Sequence, residues 1–289
     1  MGDDKNRVQE IVKGITNLPT LPPVMMQVLS LMQDPKTTAD DIGKVIVSDQ
    51  ALAANILKVV NSAYYGFPRK INTIIQSILI LGFDTIKNII LTTSILDIFS
   101  DKGEKGGFDR DRFWEHAIAC GVATKIIAER IGCVVQEESF LSGLVHDIGK
   151  VVLDRFLHDD FKKIVKKVND ENILIIDAER SVLGITHAEI GSWLAEEWNM
   201  PHSFSHAIAY HHDPLLAKED TVMVSIVHVS DILCRAIGAG SGGDKKIPRI
   251  NREAWMKLKL SMSAIESILK RFDEEMEKAS VFIELSRSV

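Results

Sequence analysis

Phe140-Leu141-Ser142-Gly143-Leu144-Val145-His146-Asp147-Ile148-Gly149-Lys150-Val151-Val152-Leu153 is an apolar helical stretch that carries a histidine and an aspartate where a core should be. Left unpaired, a buried neutral polar group costs roughly 2–7 kcal/mol, and a carboxylate costs more. A divalent cation would offset that cost, because imidazole beside carboxylate suits a transition metal. Outward from this stretch, apolar residues recur at three- and four-residue spacing, and the punctuation is that of helix starts rather than strand turns.

Pro22-Pro23 opens a helix through Met32 that places Met25, Val28, Leu29 and Met32 on one face. Capping boxes are expected at Thr38/Asp41, Thr73/Gln76 and Thr186/Glu189, and Ser263 with Glu266 is expected to cap the last helix. Helical periodicity fills 51–60, 84–99, 109–131, 137–156, 160–171, 178–183, 186–198, 200–211 and 222–237. The β-branched run Ile173-Leu174-Ile175-Ile176 reads as a connector or helix entry. No alternating pattern is flanked by turn chemistry on both sides, so the fold class is all-α. Residues 101–107 (DKGEKGG) are charged, glycine-rich and free of apolar side chains, and read as a linker. They divide an N-terminal helical lobe, 1–104, from a second lobe, 108–289. Residues 238–244 (GAGSGGD) read as a mobile loop.

Hydrophobic residues make up 46% of the 289, enough for a substantial core. Net charge is −6, which argues against nucleic-acid binding, since that needs a basic face. Cys120, Cys133 and Cys234 have no paired spacing and read as reduced thiols. No apolar run approaches the roughly 18–20 residues that span a bilayer, and Met1–Lys5 is charged with no apolar segment behind it. A cytoplasmic protein without membrane attachment is expected.

All nine histidines lie beyond residue 105. His116 stands near the start of a helix whose next turns are apolar. His187 follows the cap Thr186, His211-His212 closes a helix before Asp213-Pro214, and Asp231 interrupts the apolar helix around Val227–Leu233. Each has an ordinary reading alone: a hydrogen-bonded core histidine, a paired acid, an imidazole favouring a helix C-terminus. Together, five helices each deliver an imidazole or carboxylate from an apolar context, which is how helical bundles build metal sites. Asp147, next to His146, is placed to bridge two cations, and bridged ions about 3.5–4 Å apart can clamp a phosphate.

The pattern His116…His146-Asp147…Asp231 resembles that of the HD-domain metal-dependent phosphohydrolases. The added His187 and His211-His212 resemble the bimetal variant of the HD-GYP cyclic-dinucleotide phosphodiesterases. Leu18-Pro19-Thr20-Leu21-Pro22, Ser48-Asp49-Gln50-Ala51-Leu52, Val60-Asn61-Ser62-Ala63-Tyr64-Tyr65 and Ile80-Leu81-Gly82 are similar, in order, to the signature of HDOD domains. That resemblance covers about residues 15–215 and leaves a C-terminal helical extension.

The resemblance implies a bacterial signalling protein with an HD-like helical core and no assigned biochemical activity. It implies signalling partners at the N-terminal lobe and a small phosphate-containing ligand. Carried over, one ion takes His116, His146, Asp147 and Asp231, and the other takes Asp147, His187, His211 and His212. Iron or manganese is favoured, with zinc or nickel compatible. The alternative is an active metal-dependent phosphohydrolase or nucleotide phosphodiesterase, in which Asp147 and Lys150 are catalytic and Lys150 faces substrate phosphate. The chain departs from the HD-GYP pattern after His212, where Asp213-Pro214-Leu215-Leu216 replaces the GYP loop. It departs again at Arg112, where trinuclear variants carry glutamate. Hydrolysis of cyclic di-GMP and a third metal are therefore not implied. His158, His202, His206 and His228 match nothing in the family, although His206 lies near enough in sequence to support His211.

Overall fold

The computed structural model describes residues 20–32, 34–99, 108–133 and 136–287. All regular structure among them is helical, with no strand. The helices are α1 (Pro23–Leu31), α2 (Ala39–Val47), α3 (Gln50–Val60), α4 (Ile74–Leu81), α5 (Phe83–Ile98), α6 (Arg110–Ile131), α7 (Gln136–Val145), α8 (Ile148–Phe156), α9 (His158–Glu171), α10 (Ile175–Val182), α11 (His187–Glu197), α12 (His202–Tyr210), α13 (Thr221–Ile237), α14 (Arg252–Leu258), α15 (Met262–Lys278) and α16 (Ser280–Ser286). No helix among the described residues is long and apolar enough to cross a membrane. The motif residues Leu18 and Pro19, the charged start Met1–Lys5 and the linker 101–107 lie outside the described residues.

Two compact units emerge: described residues 20–99 with 273–287, and 108–272. The first is built on α5, which buries Ile86, Ile89, Ile90, Leu91, Ile95 and Leu96. The last helix belongs here, which corrects the expected 108–289 lobe. Val281, Phe282 and Leu285 of α16 are buried against α5 and α3. Phe282 meets the Tyr64 ring edge-on at 5.0 Å, and Lys58 pairs with Glu284 at 3.0 Å.

In the second unit α6 packs on α7 and α13, while α11 packs on α8 and α12. The contact of α8 with α11 requires a glycine. A Cβ on Gly149 would stand 1.9 Å from the His187 carbonyl oxygen, so only a bare backbone fits. The expected continuous helix over 137–156 is instead two. It breaks at His146 and Asp147, where Asp147 has φ −102° and ψ 10°. The break turns two consecutive side chains into one interior space, which a straight helix could not do.

The boxes at Thr38/Asp41 and Thr186/Glu189 close fully. At Thr73 only half forms, because the Gln76 side chain accepts from the Asn72 N–H, not from that of Thr73. Ser261, not Ser263, caps α15, accepting the Ala264 N–H at 3.1 Å. Ile175 and Ile176 enter α10, and the three cysteines are free thiols.

Candidate metal centre

Five elements of the second unit converge on one buried space. α6 supplies His116 and, one turn on, Cys120. The α7–α8 break supplies His146 and Asp147, and α8 supplies Lys150. α11 begins with His187, His211 and His212 follow α12, and α13 supplies Asp231. All are buried except His212, which is half-buried; Lys150 has no exposed surface at all.

The donor atoms fall into two groups, each with members within 4.8 Å of one another: His116, Cys120, His146 and Asp231, and Asp147, His187, His211 and His212. The structure thus brings together all seven expected ligands and adds Cys120. In the first group His116 Nε2 lies 3.1 Å from Asp231 Oδ1 and 3.5 Å from Cys120 Sγ. His146 Nε2 lies 3.9 Å from Asp231 Oδ1. In the second, Asp147 Oδ1 is 3.1 Å from His187 Nε2 and 3.5 Å from His211 Nε2, while His212 Nε2 is 2.9 Å from His187 Nε2. Asp147 stands between them, its Oδ2 3.3 Å from His146 Nε2 and 4.0 Å from His116 Nε2.

The outer ring nitrogens are committed. Nδ1–H of His146 donates to the Gly143 carbonyl at 2.7 Å, that of His211 to Ile208 at 2.8 Å, and that of His116 to Ala239 at 3.2 Å. His187 Nδ1–H donates to Glu179 Oε2 at 2.6 Å, and the same oxygen accepts the His187 backbone N–H at 2.9 Å. These bonds fix the tautomer and aim each Nε2 lone pair inward, the usual support of a metal-ligating histidine. Inside, the lone pairs face other acceptors. His146 Nε2, His211 Nε2 and Asp147 Oδ1 are buried with no hydrogen-bond partner. Such orphaned atoms are costly, and the donor set fits a divalent cation.

The electrostatics agree. Burial alone would raise the Asp147 carboxyl, but the His146 ring and the Lys150 ammonium outweigh it and hold the group well below the usual carboxylate range. Asp231 is depressed likewise, against burial, by the neighbouring His116 ring and by Arg235. Burial pushes His211 down to about 4, and burial with the neighbouring His211 and His187 rings drives His212 well below its ordinary value. His187 rises instead, because Glu179 overcomes burial. The site therefore presents ionised Asp147 and Asp231 together with the neutral imidazoles of His211 and His212.

Lys150 Nζ donates to Asp147 Oδ2 at 2.5 Å and to the Gly242 carbonyl at 2.8 Å. That carbonyl belongs to the glycine-rich loop 238–244, expected to be mobile but fastened here at several points. Arg112 Nη2 donates to the Gly240 carbonyl, and the Ser241 N–H returns to the Arg112 carbonyl, both at 2.8 Å. Asp244 pairs with Arg235 and accepts the Ile175 N–H at 3.0 Å. Gly240 has φ +65°, and a Cβ there would stand 2.2 Å from the His116 backbone nitrogen. Arg112, a departure from the HD-GYP pattern, thus ties the loop down.

Four features escaped the sequence reading: the placing of Cys120, Glu179 and His228 at the site, and the fastening of the glycine loop to it. His228 donates from Nδ1 to the His211 carbonyl at 2.7 Å and accepts the Asn251 N–H at 2.9 Å. It, and not His206, supports His211, since His206 pairs with Asp220 at 2.8 Å.

The HDOD domain family profile matches residues 18–214. An uncharacterised protein of Treponema pallidum (strain Nichols) is 26% identical over 243 residues, 83% of this chain. The chain covers 46% of that relative, less than half its length. The structure of an HDOD domain protein of unknown function from Geobacter sulfurreducens superposes with a TM-score of 0.81 at 27% identity, over 97% of both chains. A Shewanella amazonensis SB2B protein provisionally named a phosphohydrolase has the same fold, with a TM-score of 0.74 at 20% identity over 98% of both chains. With the profile spanning both units and reaching past the donors from His116 to His212, this chain belongs to the HDOD domain family.

Proposed function

We propose that this protein is a regulatory, signal-transducing HDOD protein that holds a divalent transition metal, as two ions, in its second unit. One observation carries the reading: the His146 Nε2, His211 Nε2 and Asp147 Oδ1 atoms converge, buried and without a hydrogen-bond partner. His116, His146 and Asp231 hold one ion; His187, His211, His212 and Asp147 hold the other. The first unit serves as a partner surface, a role supported by exposed Val47, Ile75, Leu79, Ile80 and Phe83. Elemental analysis of protein purified without chelator tests the metal reading. Transition metal near two equivalents, reduced in His146→Ala, is expected. Metal-free protein, or unchanged content and stability in His146→Ala, overturns it.

A second reading, a metal-dependent phosphohydrolase or phosphodiesterase, is favoured by a cavity of about 330 Å³ that reaches His116. Arg112, Arg235, Lys245 and Lys246 line it beside Asp109 and Asp244, which leaves a net positive lining. It is also supported by the provisional phosphohydrolase name of the Shewanella protein. A bound metal would supply a Lewis acid for a phosphoryl oxygen. Lys150 would stabilise charge there once released from Gly242. Turnover of nucleotides or cyclic dinucleotides with Fe(II) or Mn(II), abolished in folded Asp147→Ala, would establish this reading; no turnover by metal-loaded protein would end it.

A further inference from the structure

We infer that Cys120 is a thiolate ligand of the first ion, completing a four-donor site with His116, His146 and Asp231. The inference rests on the metal-binding reading above and deepens it. His116 and Cys120 are one turn apart on α6 and share a face. Asp231 comes from the facing α13, and His146 from the α7–α8 break.

For zinc-like bonds of roughly 2.0–2.3 Å, tetrahedral donors stand about 3.3–3.6 Å apart. The distances here are 3.5 Å from Cys120 Sγ to His116 Nε2, 3.1 Å from His116 Nε2 to Asp231 Oδ1 and 3.9 Å from His146 Nε2 to Asp231 Oδ1. The thiol is wholly buried, and His146 Nε2, in the same group, has no other partner. Asp147 then need not bridge: Oδ1 serves the second group while Oδ2 keeps the Lys150 ammonium at 2.5 Å.

A two-imidazole, carboxylate and thiolate set selects a thiophilic ion such as zinc or ferrous iron over manganese. Four protein donors also close the coordination shell, as in sites that hold structure. In the metal-free state burial raises the thiol well above its ordinary value, and Sγ lies against the His116 ring at 3.5 Å. Loading therefore displaces a proton from Cys120.

The test is cobalt(II) substitution of the full chain, with bound cobalt measured by elemental analysis on the same samples. Wild type should show a near-ultraviolet thiolate-to-cobalt charge-transfer band. The band should vanish in Cys120→Ser, which should bind that ion at least tenfold more weakly, and persist in Cys234→Ser. X-ray absorption on wild type gives a check that needs no variant: one sulfur scatterer at about 2.3 Å. Bound cobalt without sulfur, or a band that survives Cys120→Ser, overturns the Cys120 assignment and leaves the metal centre standing. Wild type that takes up no cobalt overturns both.

Discussion

Glu179 shows how much of the site lies in residues that touch no ion. It is wholly buried, and one of its oxygens takes both the ring and backbone N–H of His187. Glu179→Gln keeps an acceptor for both bonds but removes the charge that raises His187 basicity. Metal affinity of the second group should fall about 10–100-fold, with far-ultraviolet circular dichroism unchanged. Isothermal titration of chelator-treated protein checks this, and unchanged affinity would reduce Glu179 to packing. His146, Asp147 and Asp231 stood out in the sequence as polar residues in apolar runs, and the family resemblance added His116, His187, His211 and His212 to the buried cluster. Cys120 did not stand out, because a cysteine four residues after a buried histidine looks like any small core residue. Glu179 and His228 were hidden for another reason. Their roles are set by what lies across the helix interface, and linear spacing does not carry that.

At the scale of elements, the break between α7 and α8 and the crossing of α8 on α11 place the donors. Periodicity gave one helix over 137–156 because both halves are apolar and no proline marks the turn. The sequence signal for the crossing is Gly149, whose meaning appears only against the His187 carbonyl 1.9 Å from its would-be Cβ. Gly149→Ala should force α8 off α11 and destabilise the second unit by about 1–3 kcal/mol. It should also lower metal bound by the second group, which includes His187. Urea denaturation with metal analysis checks both effects, and a fully stable, fully loaded variant would refute the close-approach argument. Caps were read well where the acid or amide reached its own box, as at Thr186. They were misread where a neighbour competed, as Asn72 did for Gln76.

Over the whole molecule, every proposed ligand lies in the unit formed by 108–272, and none in 20–99 or 273–287. A ligand that binds only the native state stabilises it by mass action, about 2.7 kcal/mol at one hundred times the dissociation constant. Metal loading should therefore slow amide hydrogen exchange in α6, α7, α8, α11 and α13 and leave α1 to α5 at their metal-free rates. Exchange mass spectrometry with and without a chelator reads this directly. Uniform slowing across the chain would show that the ion's stabilisation is not confined to the unit that holds it. The fold class was open to the sequence because periodicity is a local property. The assignment of α16 to the first unit was not, since it depends on Phe282 finding Tyr64 more than two hundred residues away.

The fastened loop 238–244 has a kinetic consequence. Its Ala239 carbonyl holds the outer ring nitrogen of His116 and its Gly242 carbonyl holds the Lys150 ammonium, so an opening of the loop loosens a ligand of the first group. Exchange of bound metal with a solution isotope should then quicken in Arg112→Ala, which frees the loop at Gly240, and an unchanged rate would show that the loop does not govern exchange.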